Sequence, residues 1–182
     1  MKTLFIMAAL AALPYASAHA GKTDVQVRQV AVQQWEPAEE DQLRIKLLSY
    51  QYLQAKESQD YEAAFAAFSD TTAAAIDFNT WKANQRKFKA AAGAEVSSMF
   101  TRVTWYDNPS NAPLSGIFAA VDYSSVYANI SIHCGYLMWH KKDDGSFELI
   151  REEQNHIDNA TQKKLSAGEI ADIKAKFGCK GP

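Results

Sequence analysis

Apolar positions recur at helical spacing between residues 37 and 92, and from residue 95 onward the spacing changes to two. Pro37 suits a first helical turn, and Glu39, Glu40 and Asp41 are favourable beside a helix N-terminus, so a helix is predicted to about Glu57. Leu43, Leu47 and Tyr50 form one apolar stripe on it. Ile45, Leu48 and Tyr52 form another on roughly the opposite side, so cover is expected on two sides. Asp60 is suited to cap a second, short helix with Tyr61, Ala64, Phe65 and Phe68 facing inward. Asn79 is expected to cap a third, with Trp81, Phe88 and Ala92 on one face and Gly93 ending it. Its Lys82, Arg86, Lys87 and Lys89 read as a solvated face.

Alternation then predicts strands at 95–106, 115–127, 129–141 and 146–156. The stretch from Asp107-Asn108-Pro109 to Pro113 reads as a loop, and Asp143-Asp144-Gly145 as a hairpin turn. Short connections between neighbours imply an antiparallel sheet. Ile117, Val121 and Tyr123 are expected to be buried, as are Ile130, Ile132, Cys134, Tyr136 and Met138. Ser166-Ala167-Gly168-Glu169 is a capping box, with Ile170, Ile173 and Phe177 behind it and Gly178 as the helix stop. The fold class is therefore α+β: N-terminal helices packed on a curved antiparallel sheet of about four strands, plus a C-terminal helix.

The first residues change the picture of where this fold works. Lys2, the apolar run Leu4–Leu13 and the small-x-small exit Ala18-His19-Ala20 have the layout of a secretion signal, with cleavage expected after Ala20. That run is too short to span a bilayer, which takes about 20 residues. Residues 21–36 read as an N-terminal lead, 37–160 as the α+β domain and 161–182 as the C-terminal helix and tail. Removing the signal takes Lys2 from the 19 basic residues, leaving 18 against 21 acidic, or −3. This balance gives no footprint for nucleic acid and no polybasic membrane patch, and no membrane anchor is expected in the mature chain. The location expected is the periplasm or the exterior of the cell. Cys134 and Cys179 are an even pair in an exported chain and read as a disulfide. Closing a loop of that length stabilises a fold by about 4 kcal/mol on the chain-entropy account.

The order of helices and strands resembles the NTF2-like, or cystatin-like, superfamily. More closely, the chain resembles an exported bacterial family, domain of unknown function 4019. The resemblance is carried by Leu53, Asp60-Tyr61-Glu62-Ala63-Ala64-Phe65, Trp81, Arg86, Gly93 and Arg102. It continues through the strand Gly116–Tyr127 and the segment from Leu137 past Asp144-Gly145-Ser146-Phe147 to Ile150. It covers about residues 45–157. Departures are the absence of proline in Lys87–Ala92, Phe147 where the family has tryptophan, and the cysteine-stapled helix at the C-terminus. The family implies no catalytic residues. The superfamily implies a cone-shaped sheet with an open cavity, which some relatives use for isomerase or dehydratase chemistry.

Candidates for such chemistry are Asp122, Tyr123, His133, Tyr136 and His140. Asp122 and Tyr123 are neighbours on a strand and must face opposite ways. His133 alternates away from Cys134 and Tyr136 and shares the face of Trp139. Glu152, Gln154 and His156 share one strand face, but a polar strand end is the plainer reading, so no metal is assigned. There is no Gly-x-Ser-x-Gly elbow and no glycine-rich phosphate loop, and no cofactor is expected. The expected function is a non-enzymatic binding or interaction module for a protein partner or a small apolar ligand. The alternative is a cofactor-independent isomerase or lyase acting in the cone.

Overall fold

A computed structural model describes residues 35–110, 112 and 114–179. The expected signal peptide, nearly all of the N-terminal lead and the last three residues lie outside the described residues. Element order is α1 (Glu39–Glu57), α2 (Tyr61–Phe65), α3 (Asp70–Ala75), α4 (Phe78–Ala92), then strands β1 (Glu95–Asp107), β2 (Ile117–Tyr127), β3 (Ile130–Lys141) and β4 (Phe147–Asp158), then α5 (Asn159–Gln162) and α6 (Ala167–Lys176). The strands form one open antiparallel sheet in the order β1-β2-β3-β4. The α+β class and the four-stranded meander are as the periodicity predicts.

The caps explain where the helices start. Asp60 accepts from the Ala63 amide and opens α2. Ser69 accepts from the Thr72 amide and opens α3, a helix the apolar pattern did not announce. Asp77, not Asn79, caps α4 by accepting from the Thr80 amide. Asp and Asn are equivalent cap types in sequence, and the helix simply begins two residues earlier than the apolar spacing suggests. Ser166 and Glu169 form the expected capping box on α6. The hairpin turn closes with the Asp144 side chain accepting from the Ser146 amide and Gly145 at φ 82°, where only glycine is unstrained.

Register sorts the sheet into two faces. The inner face carries Ala119, Val121 and Tyr123 of β2, Leu137 and Trp139 of β3, and Leu149 of β4, all buried under the helices. Of the two strand faces expected to be buried, the β2 face is core. The β3 face from Ile132 to Met138 is the outer one: Ile132 and Cys134 are buried there, while Tyr136 and Met138 are only half-buried; Ile130, set off by a register shift, packs instead with Ala92, Tyr127 and Phe88. A strand covered on both faces carries apolar residues on both, so alternation alone does not reveal which face meets the helices. α1 corrects a second expectation. Ile45, Ser49 and Tyr52 are buried, but Leu43, Leu47 and Tyr50 are exposed, so among the described residues it is covered on one side.

Three contacts fix the helical layer on the sheet. The Trp139 indole donates to the Ser49 hydroxyl at 2.9 Å inside the core. Lys141 pairs with Asp41 at 2.6 Å. The segment after α2 adds to the free edge of β4, where the Ser69 amide donates to the Leu149 carbonyl and the Leu149 amide to that of Ala67. Edge capping of this kind protects a strand from pairing with another chain.

Candidate functional site

The inner face presents aromatic packing where an open cavity was expected. Phe65 lies 5.6 Å from Phe68, 5.0 Å from Phe78 and 5.4 Å from Trp81 between ring centres, all edge-on. Tyr61 and Tyr52 extend this cluster. Each such ring buries a large area and holds its neighbours in fixed geometry. The expected cone is filled where α2 and α4 cover the sheet, and what room remains lies between α1 and β1, a space of about 580 Å³ bounded by Gln42, Lys46, Phe100, Val103 and Trp105.

Toward the other end of the inner face the packing turns polar. Tyr52 donates to Glu152 at 2.6 Å, and Lys56 is ion-paired to the same carboxylate and donates to Gln154 at 3.3 Å. Both members of the pair are nearly buried, so loss of either would strand a charge. The Tyr123 hydroxyl and both ring nitrogens of His133 lie beside this group, buried and without a protein hydrogen-bond partner. Burial pushes His133 down to about 4, helped by the Lys56 charge, while Gln154 near the ring partly offsets the shift. Burial, then the Glu152 charge, holds the Tyr123 phenol well above its usual range. Their rings are 5.7 Å apart, and Phe88 covers His133 at 5.1 Å.

The space left there is about 20 Å³. A polar cavity of that size holds about one water and no organic substrate. Gly135 lets the β4 backbone and the Tyr123 ring approach this closely. A Cβ at that position would stand 1.9 Å from the Glu153 carbonyl oxygen and 2.9 Å from the Tyr123 hydroxyl. Lys89 and Glu57, which form an ion pair, are among the residues lining it. The basic face of α4 is thus partly engaged, since Lys82 also pairs with Glu62 and the Arg86 guanidinium stands over the Tyr61 ring, while Lys87 is exposed as expected.

The sequence-derived candidates do not converge. Tyr123 and His133 are together on the inner face. Asp122 is on the outer face, held by Arg102 at 3.0 Å. Tyr136 is also on the outer face. His140 sits between Glu148, at 3.1 Å, and the Ser115 carbonyl, at 3.0 Å. Glu152, Gln154 and His156 do share a face, but Glu152 is committed to Tyr52 and Lys56. Among the described residues no three His, Cys, Asp or Glu side chains cluster to hold a metal ion.

The outer face is divided. At one end Cys134 is joined to Cys179, with Cα atoms 5.5 Å apart, which lays the end of α6 against the sheet. At the other end lies an apolar cleft of about 530 Å³. Its floor is Phe118 of β2 with Tyr136 and Met138 of β3. Tyr106, Leu114 and Ile150 form walls, and α3 closes one side with Thr71 and Thr72. Except for Tyr136 and Met138, which were expected to be buried, sequence reading passed over these residues. The unbroken apolar run Ile117–Val121 was the available signal, because it furnishes both faces of one strand.

Among the described residues no helix is long and apolar enough to cross a membrane. No curated protein matches the chain significantly. Helices followed by an antiparallel meander are consistent with the NTF2-like resemblance. Residues 49–150, more than half of the chain and spanning α1 to the start of β4, match the model of the family described as "Protein of unknown function (DUF4019)", and the chain belongs to that family.

Proposed function

We propose that this chain is an exported, non-enzymatic binding module, working in the periplasm or outside the cell after loss of residues 1–20, and that its ligand lies in the outer-face cleft. The carrying observation is room with an apolar lining: about 530 Å³ over Phe118, Tyr136 and Met138, against about 20 Å³ beside Tyr123 and His133 and a space of about 580 Å³ between α1 and β1 that is ringed by Glu36, Gln42, Lys46 and Arg102. Sites for organic ligands are concave, mostly apolar and of a few hundred Å³. Export is supported by the layout of residues 1–20 and by the Cys134–Cys179 bridge. The alternative, an isomerase or lyase, draws on the buried Tyr123–His133 pair, which offers a donor and a neutral imidazole. It requires the inner face to open.

A neutral apolar dye separates the two readings. N-phenylnaphthylamine fluorescence should rise on binding the mature protein. Met138→Asn should weaken that binding roughly tenfold, the scale of removing one apolar side chain from a contact. Tyr123→Phe should leave it unchanged. Insensitivity to Met138→Asn, or loss of binding in Tyr123→Phe, would overturn the cleft assignment.

A further inference from the structure

α1 is apolar on two sides, and the sheet takes only one of them. Ile45, Ser49 and Tyr52 are buried, whereas Leu43, Leu47 and Tyr50 are 63%, 56% and 56% exposed. A helix apolar on two sides calls for cover on both. The exposed three fall at i, i+4 and i+7, a single seam along the helix, which is the spacing that interlocks with the seam of a second helix. Among the described residues the other large exposed apolar side chains lie on strands or in loops, so the seam's counterpart in this chain is another copy of itself. Met99, 49% exposed, lines one depression with Tyr50 and carries the patch onto β1. These four side chains leave about 500 Å² of apolar surface, the size at which a patch marks an interaction site. Two copies, with the stems of Arg44, Lys46 and Gln54 around them, reach about 1,200 Å², the low end of specific interfaces and the scale of a reversible dimer.

We infer that α1 pairs with α1 of a second copy of this chain, antiparallel about a two-fold axis at Leu47. Leu47 then meets its own counterpart, and Leu43 meets Tyr50 of the second copy, so one patch serves both sides as a two-fold axis requires. Charge sets the direction. The first turn of α1 carries Glu39, Glu40 and Asp41 and the last turn carries Lys56. A parallel pair would lay the two acidic turns side by side, and an antiparallel pair sets each beside the opposite end. Asp41 is balanced by Lys141, Glu40 by Arg44 and Lys56 by Glu152, so apolar burial supplies the affinity. α1 lies against the inner face of the sheet, so both outer-face clefts stay open in the pair.

Sedimentation equilibrium of residues 21–182 from about 10 µM to about 1 mM reads this directly, a range that covers the affinities of small interfaces. The mean mass should rise toward twice that of one chain. Leu47→Glu, at an exposed position, should hold it at one chain while the urea midpoint measured at about 10 µM stays unchanged. Met138→Asn should leave the dimer intact. Leu47→Cys supplies a second reading, because both native cysteines are already joined to each other. Diamide, which takes up the two electrons and two protons, should link two Leu47→Cys chains and should not link two Leu114→Cys chains. One-chain mass across the whole range, or a dimer that survives Leu47→Glu, would overturn the inference. Loss of the dimer in Met138→Asn with Leu47→Cys unlinked would also overturn it, by moving the interface to the outer face.

Discussion

Position 133 places an imidazole where a protonated one is not tolerated. Phe88 from α4, Tyr123 and Tyr127 from β2 and His156 from β4 pack around it, with Lys56 of α1 and Gln154 of β4 as the polar neighbours. Its folded value of about 4 lies below the ordinary 6.5, so between those limits the unfolded chain binds a proton the folded chain does not. Stability is therefore full above pH 6.5 and falls as pH drops toward 4, by about 3 kcal/mol in all at 1.36 kcal/mol per unit. Urea melts of wild type and His133→Phe at pH 7, 5.5 and 4.5 should diverge by about that much, with the variant losing less. Parallel curves would show that His133 is not the group responsible. The alternation that sends Asp122 outward and Tyr123 inward was legible in the sequence, because strand period is a local property. Lys56 and Gln154 as companions of His133 were not. They arrive from elements nearly a hundred residues apart in the chain, and only the docking of α1 on β4 brings them together.

Among the elements, α6 shows the clearest agreement of local signal and structure, and also the weakest attachment. Its capping box, its apolar positions and Gly178 at φ 67° all follow from the sequence. None of its residues is buried, however, and Ile170, Ile173 and Phe177 are only partly covered. The Cys134–Cys179 bond is then what keeps this ten-residue helix on the sheet, since a helix of that length is marginal alone. Cys179→Ser should speed amide exchange across residues 167–176 while β2 and β3 keep their protection, and should lower global stability by about 2–4 kcal/mol. Undiminished protection in α6 would mean that packing, not the bond, holds it. α1 departs from its sequence reading for a related reason. Two apolar stripes were visible, but one sheet face can cover only one of them, and Ile45–Tyr52 wins through the Trp139–Ser49 bond.

At the scale of the whole molecule, the four-stranded α+β layout was readable because periodicity, caps and turns all agreed. The use of the two sheet faces was not, because it depends on side-chain volumes summed over several elements. Phe65, Phe68, Phe78 and Trp81 close the inner face under α2 and α4, and the room left on that side, between α1 and β1, is edged by charged and amide side chains. The loop after β1 and helix α3 raise walls around Phe118 and Met138 on the outer one. The account therefore stands on which face receives a ligand. The most direct measurement is the ¹H–¹³C methyl spectrum of residues 21–182 during titration with N-phenylnaphthylamine. The Met138, Leu114 and Ile150 methyl signals should shift and saturate together while Val121 and Leu137 in the inner core hold still. Saturable shifts at Val121 and Leu137 with Met138 unmoved would place the ligand under the helices and contradict the account.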